Sequence, residues 1–102
     1  MIVVKVTYTV REDFVSENRS NIGKFLEDLR VLNNPGIRYT VLLGNDGKTH
    51  THLSMYESEE SQKALLELDS FKSFQRQRDE SGLEISPQVE MMTLVDSSHR
   101  IF

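Results

Sequence analysis

Residues 37–56 read "IRYTVLLGNDGKTHTHLSMY". Two apolar-polar alternating runs flank "GNDGK" at 44–48, whose Asn, Asp and two glycines suit a tight reversal. The stretch is therefore a β-hairpin, with strands at 37–43 and about 49–56. Working outward, "NNPG" at 33–36 stops whatever precedes it: Asn tolerates a left-handed cap and Pro35 cannot continue a helix. Upstream, Phe14, Asn18, Ile22, Phe25, Leu29 and Leu32 recur every three or four residues, with Leu26 beside them. That spacing predicts an amphipathic helix over 11–32, with Glu12 and Asp13 at its acid-favouring start. Residues 2–10, "IVVKVTYTV", alternate with a period of two and form the first strand.

Downstream of the hairpin, Ser58 caps a helix with Glu59 and Glu60 in its first turn. Ala64, Leu65, Leu68, Phe71 and Phe74 supply its apolar stripe, "DS" at 69–70 breaks it into two pieces, and Gly82 ends it. "QVEMMTLV" at 88–95, after Pro87, is the fourth strand. The order βαββαβ specifies an α+β, ferredoxin-like antiparallel sheet with the helices on one face. Residues 1–96 make one such domain and 97–102 a short C-terminal tail, frayed or docked on a partner.

Composition narrows the function classes. The chain has 102 residues, 37% hydrophobic and 27% charged, with a net charge of −4. This is an ordinary globular composition. Its acidity argues against nucleic-acid or anionic-membrane partners. Without cysteine there is no disulfide, thiol nucleophile or thiolate metal site. "MIVVKV" lacks the apolar run of a signal peptide, and no run approaches the roughly 20 residues of a membrane span. The expected location is cytoplasmic.

Alternation places the even residues of the first strand against the helices. Leu53 and Met55, as the apolar members of the third strand, are expected to join them. His50, His52, Ser54 and Tyr56 then fall on the open face beside Val3, Lys5, Thr7, Thr9, Arg38, Thr40 and Leu42. That mixed face suits a wet interface between two sheets, hence a homodimer. A metal reading of the histidine pair lacks third and fourth ligands. An RNA platform, of the kind the RNA-recognition motif builds on its third strand, conflicts with the acidic charge and with Thr49 in place of that motif's glycine. Catalysis by His52 with Tyr56 is a third reading. Asn18, a polar residue on an apolar stripe, requires a buried partner or a cavity. Tyr8 and Tyr39 point towards the helices, and Phe71 and Phe74 belong to the core.

"NNPGIRYTVLL", followed by the hairpin and "HLSMYESEESQKALLELDSFKSFQ", resembles the antibiotic biosynthesis monooxygenase family and its dimeric α+β-barrel relatives. The carrying features are Pro35–Gly36, Tyr39, Tyr56–Glu57 and the Phe71–Phe74 pair, and the likeness extends over most of 2–95. It implies a homodimer of facing sheets with a small apolar or aromatic ligand between each sheet and its helices. Some members of the family are cofactor-free monooxygenases on aromatic polyketides, and others degrade haem, isomerise small molecules or have no known activity. The likeness therefore makes cofactor-free oxidation of an aromatic or phenolic substrate the leading expectation. If the protein is such an enzyme, His52 and Tyr56 are the candidate catalytic pair, with Tyr8, Asn18, Tyr39, Phe71 and Phe74 as pocket residues and neither metal nor cofactor. The haem-degrading members' helical His and Trp have no counterpart, since the chain holds no Trp and no His between 53 and 98. Where many relatives carry a His before the first Phe, this chain has Ser70. A non-catalytic dimeric binding or stress-related module is the alternative function.

Overall fold

The computed structural model describes residues 1–102. Four strands, β1 (Ile2–Thr9), β2 (Ile37–Leu43), β3 (Thr49–Tyr56) and β4 (Ile85–Met92), form one antiparallel sheet in the order β2-β3-β1-β4. A 3-10 turn at Glu12–Phe14 leads into α1 (Val15–Leu32), and α2 (Glu59–Leu66) and α3 (Asp69–Glu80) follow the hairpin. This is the ferredoxin-like α+β arrangement read from the sequence. No helix is long and apolar enough to cross a membrane.

Local chemistry explains the boundaries. Asn33 closes α1 in the left-handed region, at φ 51°, where its short polar side chain is tolerated. In the hairpin, Gly47 supplies the positive φ of 73°. Asp46 holds the turn: its carboxylate accepts from the Lys48 and Thr49 amides at 2.9 and 2.8 Å and from the Thr49 hydroxyl at 2.6 Å. Those bonds stabilise the anion and bring its pKa down to about 2. Ser58 caps α2 by accepting from the Ser61 amide. The helix does break in two, at residues 67–68, just ahead of the predicted Asp69–Ser70, which instead open α3.

Two expectations are corrected. The fourth strand starts at Ile85, three residues before the predicted start, and includes Pro87. β4 is an edge strand, and the register shift between Thr7 and Thr9 leaves an extra residue on β4 opposite Tyr8. A bulge on an edge is where a missing N–H is cheapest.

The larger correction concerns β3. Val4 lies opposite Ser54, Val6 opposite His52 and Tyr8 opposite His50. Residues directly opposite share a face, and the even face of β1 meets the helices. His50, His52, Ser54 and Tyr56 are accordingly all buried, at 2–4% exposure, while Leu53 and Met55 lie on the open face. Apolarity ranks Leu53 above His52 for burial, but the register overrides it. The open face is not bare. The C-terminal segment crosses it, so that Leu94 and Ile101 line a hollow of about 460 Å³ with Leu53 and Met55. The Arg38 guanidinium lies 5.5 Å from the Phe102 ring centroid.

Gly36 is required by close approach. A Cβ there would meet the Ser61 hydroxyl at less than van der Waals distance and stand 3.3 Å from Glu57 Cβ. Gly36→Ala is expected to cost about 1–3 kcal/mol in urea unfolding, with part of the loss recovered in the G36A/S61A double variant. An unchanged midpoint for the single variant would show that the loop yields freely.

Candidate functional site

The buried layer between α1, α3 and the sheet is polar at its centre. His52, 2% exposed, has both ring nitrogens engaged. Nε2 lies 2.8 Å from the Tyr8 hydroxyl and Nδ1 lies 2.7 Å from the Tyr39 hydroxyl. Asn18 on α1, fully buried, donates from Nδ2 to the Tyr8 hydroxyl at 3.0 Å. Asn18, Tyr8, His52 and Tyr39 thus form one hydrogen-bonded chain running from α1 through β1 and β3 to β2. β-strand alternation points the three ring side chains the same way. Helical spacing puts Asn18 on the same stripe as Ile22 and Phe25.

Aromatic rings surround the chain. Phe74 stacks on His52 at 5.3 Å and 25°, and Phe25 lies 6.3 Å away at 19°. Phe25 contacts Tyr39, Phe71 and Phe74 with centroids 5.0–5.2 Å apart. His50 stacks on Tyr8 at 5.3 Å, nearly parallel, and its Nδ1 is bonded to the Lys48 carbonyl. Arg78 closes the shell with its guanidinium 5.3 Å from the centroids of both Tyr8 and Phe74.

This environment holds every member neutral. Burial, with the Arg78 charge and then His50 adding to it, lowers the His52 pKa from 6.5 to about 3. Burial lowers that of His50 too, against the opposing bond to the Lys48 carbonyl. The Tyr8 phenol is pushed up to about 12 by burial, although Asn18 and Arg78 favour its anion. Burial also raises Tyr39, and the neighbouring Tyr56 and Tyr8 add to the rise. The site can therefore donate and accept hydrogen bonds but offers no strong base.

Of the predicted site residues, the structure joins His52, Tyr8, Asn18 and Tyr39 by hydrogen bonds, with Phe71 and Phe74 in their shell. Tyr56 is on the same face and buried, its pKa raised by burial, but it is bonded to neither His52 nor Tyr39. These residues do not enclose a cavity. Their rings fill the space, and the chain meets an open cleft only at Tyr39. That cleft, about 330 Å³, lies between the end of α1 and the start of β2, with Leu26, Leu29 and Ile37 as its apolar wall. Two polar atoms stay unpartnered, Asn18 Oδ1 and Ser70 Oγ. No three His, Asp or Glu side chains gather at metal-binding reach, and both His52 nitrogens are already committed. Phe25 and Arg78 were not predicted for the site. The spacing Phe71–Phe74–Arg78 is i, i+3, i+7, so Arg78 falls on the apolar stripe of α3.

The fold has close counterparts among solved structures. One described as antibiotic biosynthesis monooxygenase superposes with a TM-score of 0.79 at 10% identity, over 94% of this chain and 100% of that one. Rv0793 from Mycobacterium tuberculosis gives 0.78 at 18% identity, covering 96% and 98%. SnoaB from Streptomyces nogalater, a cofactor-independent oxygenase, gives 0.73 at 13% identity, covering 97% of both chains. No family sequence model matches the chain, and no curated protein sequence does. At these identities the likeness establishes a shared fold: this is a protein with the antibiotic biosynthesis monooxygenase-type α+β fold.

The depressed His52 pKa has a definite consequence. Between about 3 and 6.5 the unfolded chain binds a proton that the folded chain refuses, so the stabilisation is complete above 6.5 and is lost as pH falls. Unfolding free energy should drop by up to about 1.4 kcal/mol per pH unit from this group. His52→Gln should flatten the slope measured by urea unfolding between about pH 7 and 5, leaving a residual from His50. An equally steep slope in the variant would assign the acid sensitivity elsewhere.

Proposed function

We propose that the protein is a homodimeric, small-molecule-binding member of the antibiotic biosynthesis monooxygenase group that oxidises an aromatic or phenolic substrate without a cofactor. The observation that carries this reading is His52, bonded at both nitrogens to phenols within a dry aromatic shell. Such an array, preorganised and neutral, is suited to polarising a substrate oxygen as negative charge develops on it. A ketone so held makes its conjugated ring methylene more acidic, and since the array offers no strong base the first proton passes to water at the open cleft. The resulting carbanion is itself the reductant for dioxygen. One ring methylene and one dioxygen become one carbonyl and one water. Two C–H bonds and the O–O bond break, one oxygen stays on carbon, and the other leaves as water with both hydrogens. The substrate supplies both electron pairs, so no external donor is needed. The cleft at Tyr39 has the size of small-molecule sites, roughly 300–1,000 Å³. Within this reading His52, Tyr8, Tyr39 and Asn18 form the functional array, Phe71 and Phe74 keep it dry, and Tyr56 supports the sheet.

Purified protein is expected to consume oxygen with an anthrone or a dihydroxynaphthalene, and His52→Ala to lose at least about tenfold of that rate while still folding. If no member of such a panel draws oxygen, the non-catalytic binding module becomes the better account. The dimer is supported by exposed apolar side chains on the open face, Leu42 and Met92 at 55% and 46%, a surface of the kind that association covers. Light scattering at micromolar concentration should give twice the monomer mass of 11.8 kDa. A monomer mass would remove the homodimer from the proposal.

A further inference from the structure

The hydrogen-bonded chain has a direction, and the direction is set at Asn18. A phenol carries one hydrogen and a neutral imidazole one N–H. Asn18 Nδ2 already donates to the Tyr8 oxygen. If His52 Nε2 also donated there, the Tyr8 hydrogen would be left without an acceptor at a residue with 0% exposure. An unmet buried donor is strongly disfavoured. Tyr8 therefore donates to Nε2, which is bare. The single imidazole hydrogen is on Nδ1 and goes to the Tyr39 oxygen. From Tyr8 onward every donor is then used except the last one: the hydroxyl hydrogen of Tyr39, the residue that lines the open cleft.

We propose that Asn18 is a positioning residue that orients the whole chain outward, Asn18 to Tyr8 to His52 to Tyr39, so that Tyr39 presents an O–H donor to the ligand. The site then takes a ligand with an acceptor oxygen, a ketone, quinone or phenolate, and discriminates against one that offers only a donor. This rests on the small-molecule reading above and sharpens it to the ligand's functional group. Asn18 Oδ1 is buried with no donor beside it. Turning the amide over would put Oδ1 against Tyr8 and invert each bond in turn. Tyr39 would then spend its hydrogen on His52 Nδ1 and offer the ligand only a lone pair.

The imidazole tautomer reports the direction without any need for turnover. In full-length protein labelled with nitrogen-15 histidine, at about pH 7.5, His52 should show a protonated Nδ1 and a bare Nε2. A protonated Nε2 would overturn the proposal while leaving the oxygenase reading intact. Asn18→Asp, at about pH 8, supplies a group that only accepts, and should invert the tautomer. If the variant folds and keeps the wild-type tautomer, Asn18 does not set the direction. The cleft is tested separately with two rigid probes. Anthraquinone-2-sulfonate carries acceptor oxygens on the rings, and anthracene-2-sulfonate does not. The quinone should bind about tenfold tighter, the worth of roughly one hydrogen bond, and Tyr39→Phe should erase the preference. Equal affinities in the wild type, or no binding of either probe, would overturn the assignment of Tyr39 as ligand donor. Oxygen-uptake results do not enter either measurement, so failure here and failure of the oxygenase reading are told apart.

Discussion

The interior is organised around one constraint, an imidazole buried with both nitrogens satisfied by phenols. His52 cannot be charged where it lies, and it cannot be left unbonded. Tyr8 from β1 and Tyr39 from β2 resolve both demands, one on each side of the central strand. The sheet must hold these three strands in register for the bonds to exist, and α1 must bring Asn18 over Tyr8. The aromatic shell follows from the same need. Phe25, Phe71 and Phe74 exclude the water that would otherwise compete for the imidazole, and Arg78 covers Tyr8 with a flat cation that asks for no hydrogen bond from it.

A polar centre of this kind is a costly way to fill a small core. Aliphatic residues at positions 18 and 52, with phenylalanine at 8 and 39, would bury more apolar surface with no bonds to satisfy. Cores that retain such groups do so where directionality matters, and here the polarity is continuous from the first turn of α1 to a surface cleft. The contrast with the open face is informative. There Leu53 and Met55 carry the apolar character, and the C-terminal segment with Ile101 and Phe102 lies across them. The two faces of β3 therefore divide the work, with polar contacts turned inward and apolar ones outward. This is the reverse of what their side chains suggest individually.

That reversal marks the limit of reading single residues. Alternation says correctly that positions 50, 52, 54 and 56 share a face, and that Tyr8 and Tyr39 meet the helices. It cannot say which face the first group shares. Ranking His below Leu for burial is sound on average, yet here the partners that make His52 buriable lie 13 and 44 residues away in sequence. Asn18 is legible as an anomaly, a polar residue on an apolar stripe that needs a partner. Arg78 lies equally on its stripe but gives no such signal, since long basic side chains on helices usually reach solvent.

The sequence by itself determined the element order, the hairpin about residues 44–48, the break in the second helical region and the ferredoxin-like class. These depend on periodicity and turn chemistry, which are properties of neighbouring residues. Only the tertiary structure decided that His52 faces inward, that Tyr56 stands outside the hydrogen-bonded chain and that the fourth strand begins before Pro87. Each of these turns on the register between strands distant in sequence. A shift of one residue in that register exchanges the two faces of a strand while leaving its own pattern unchanged.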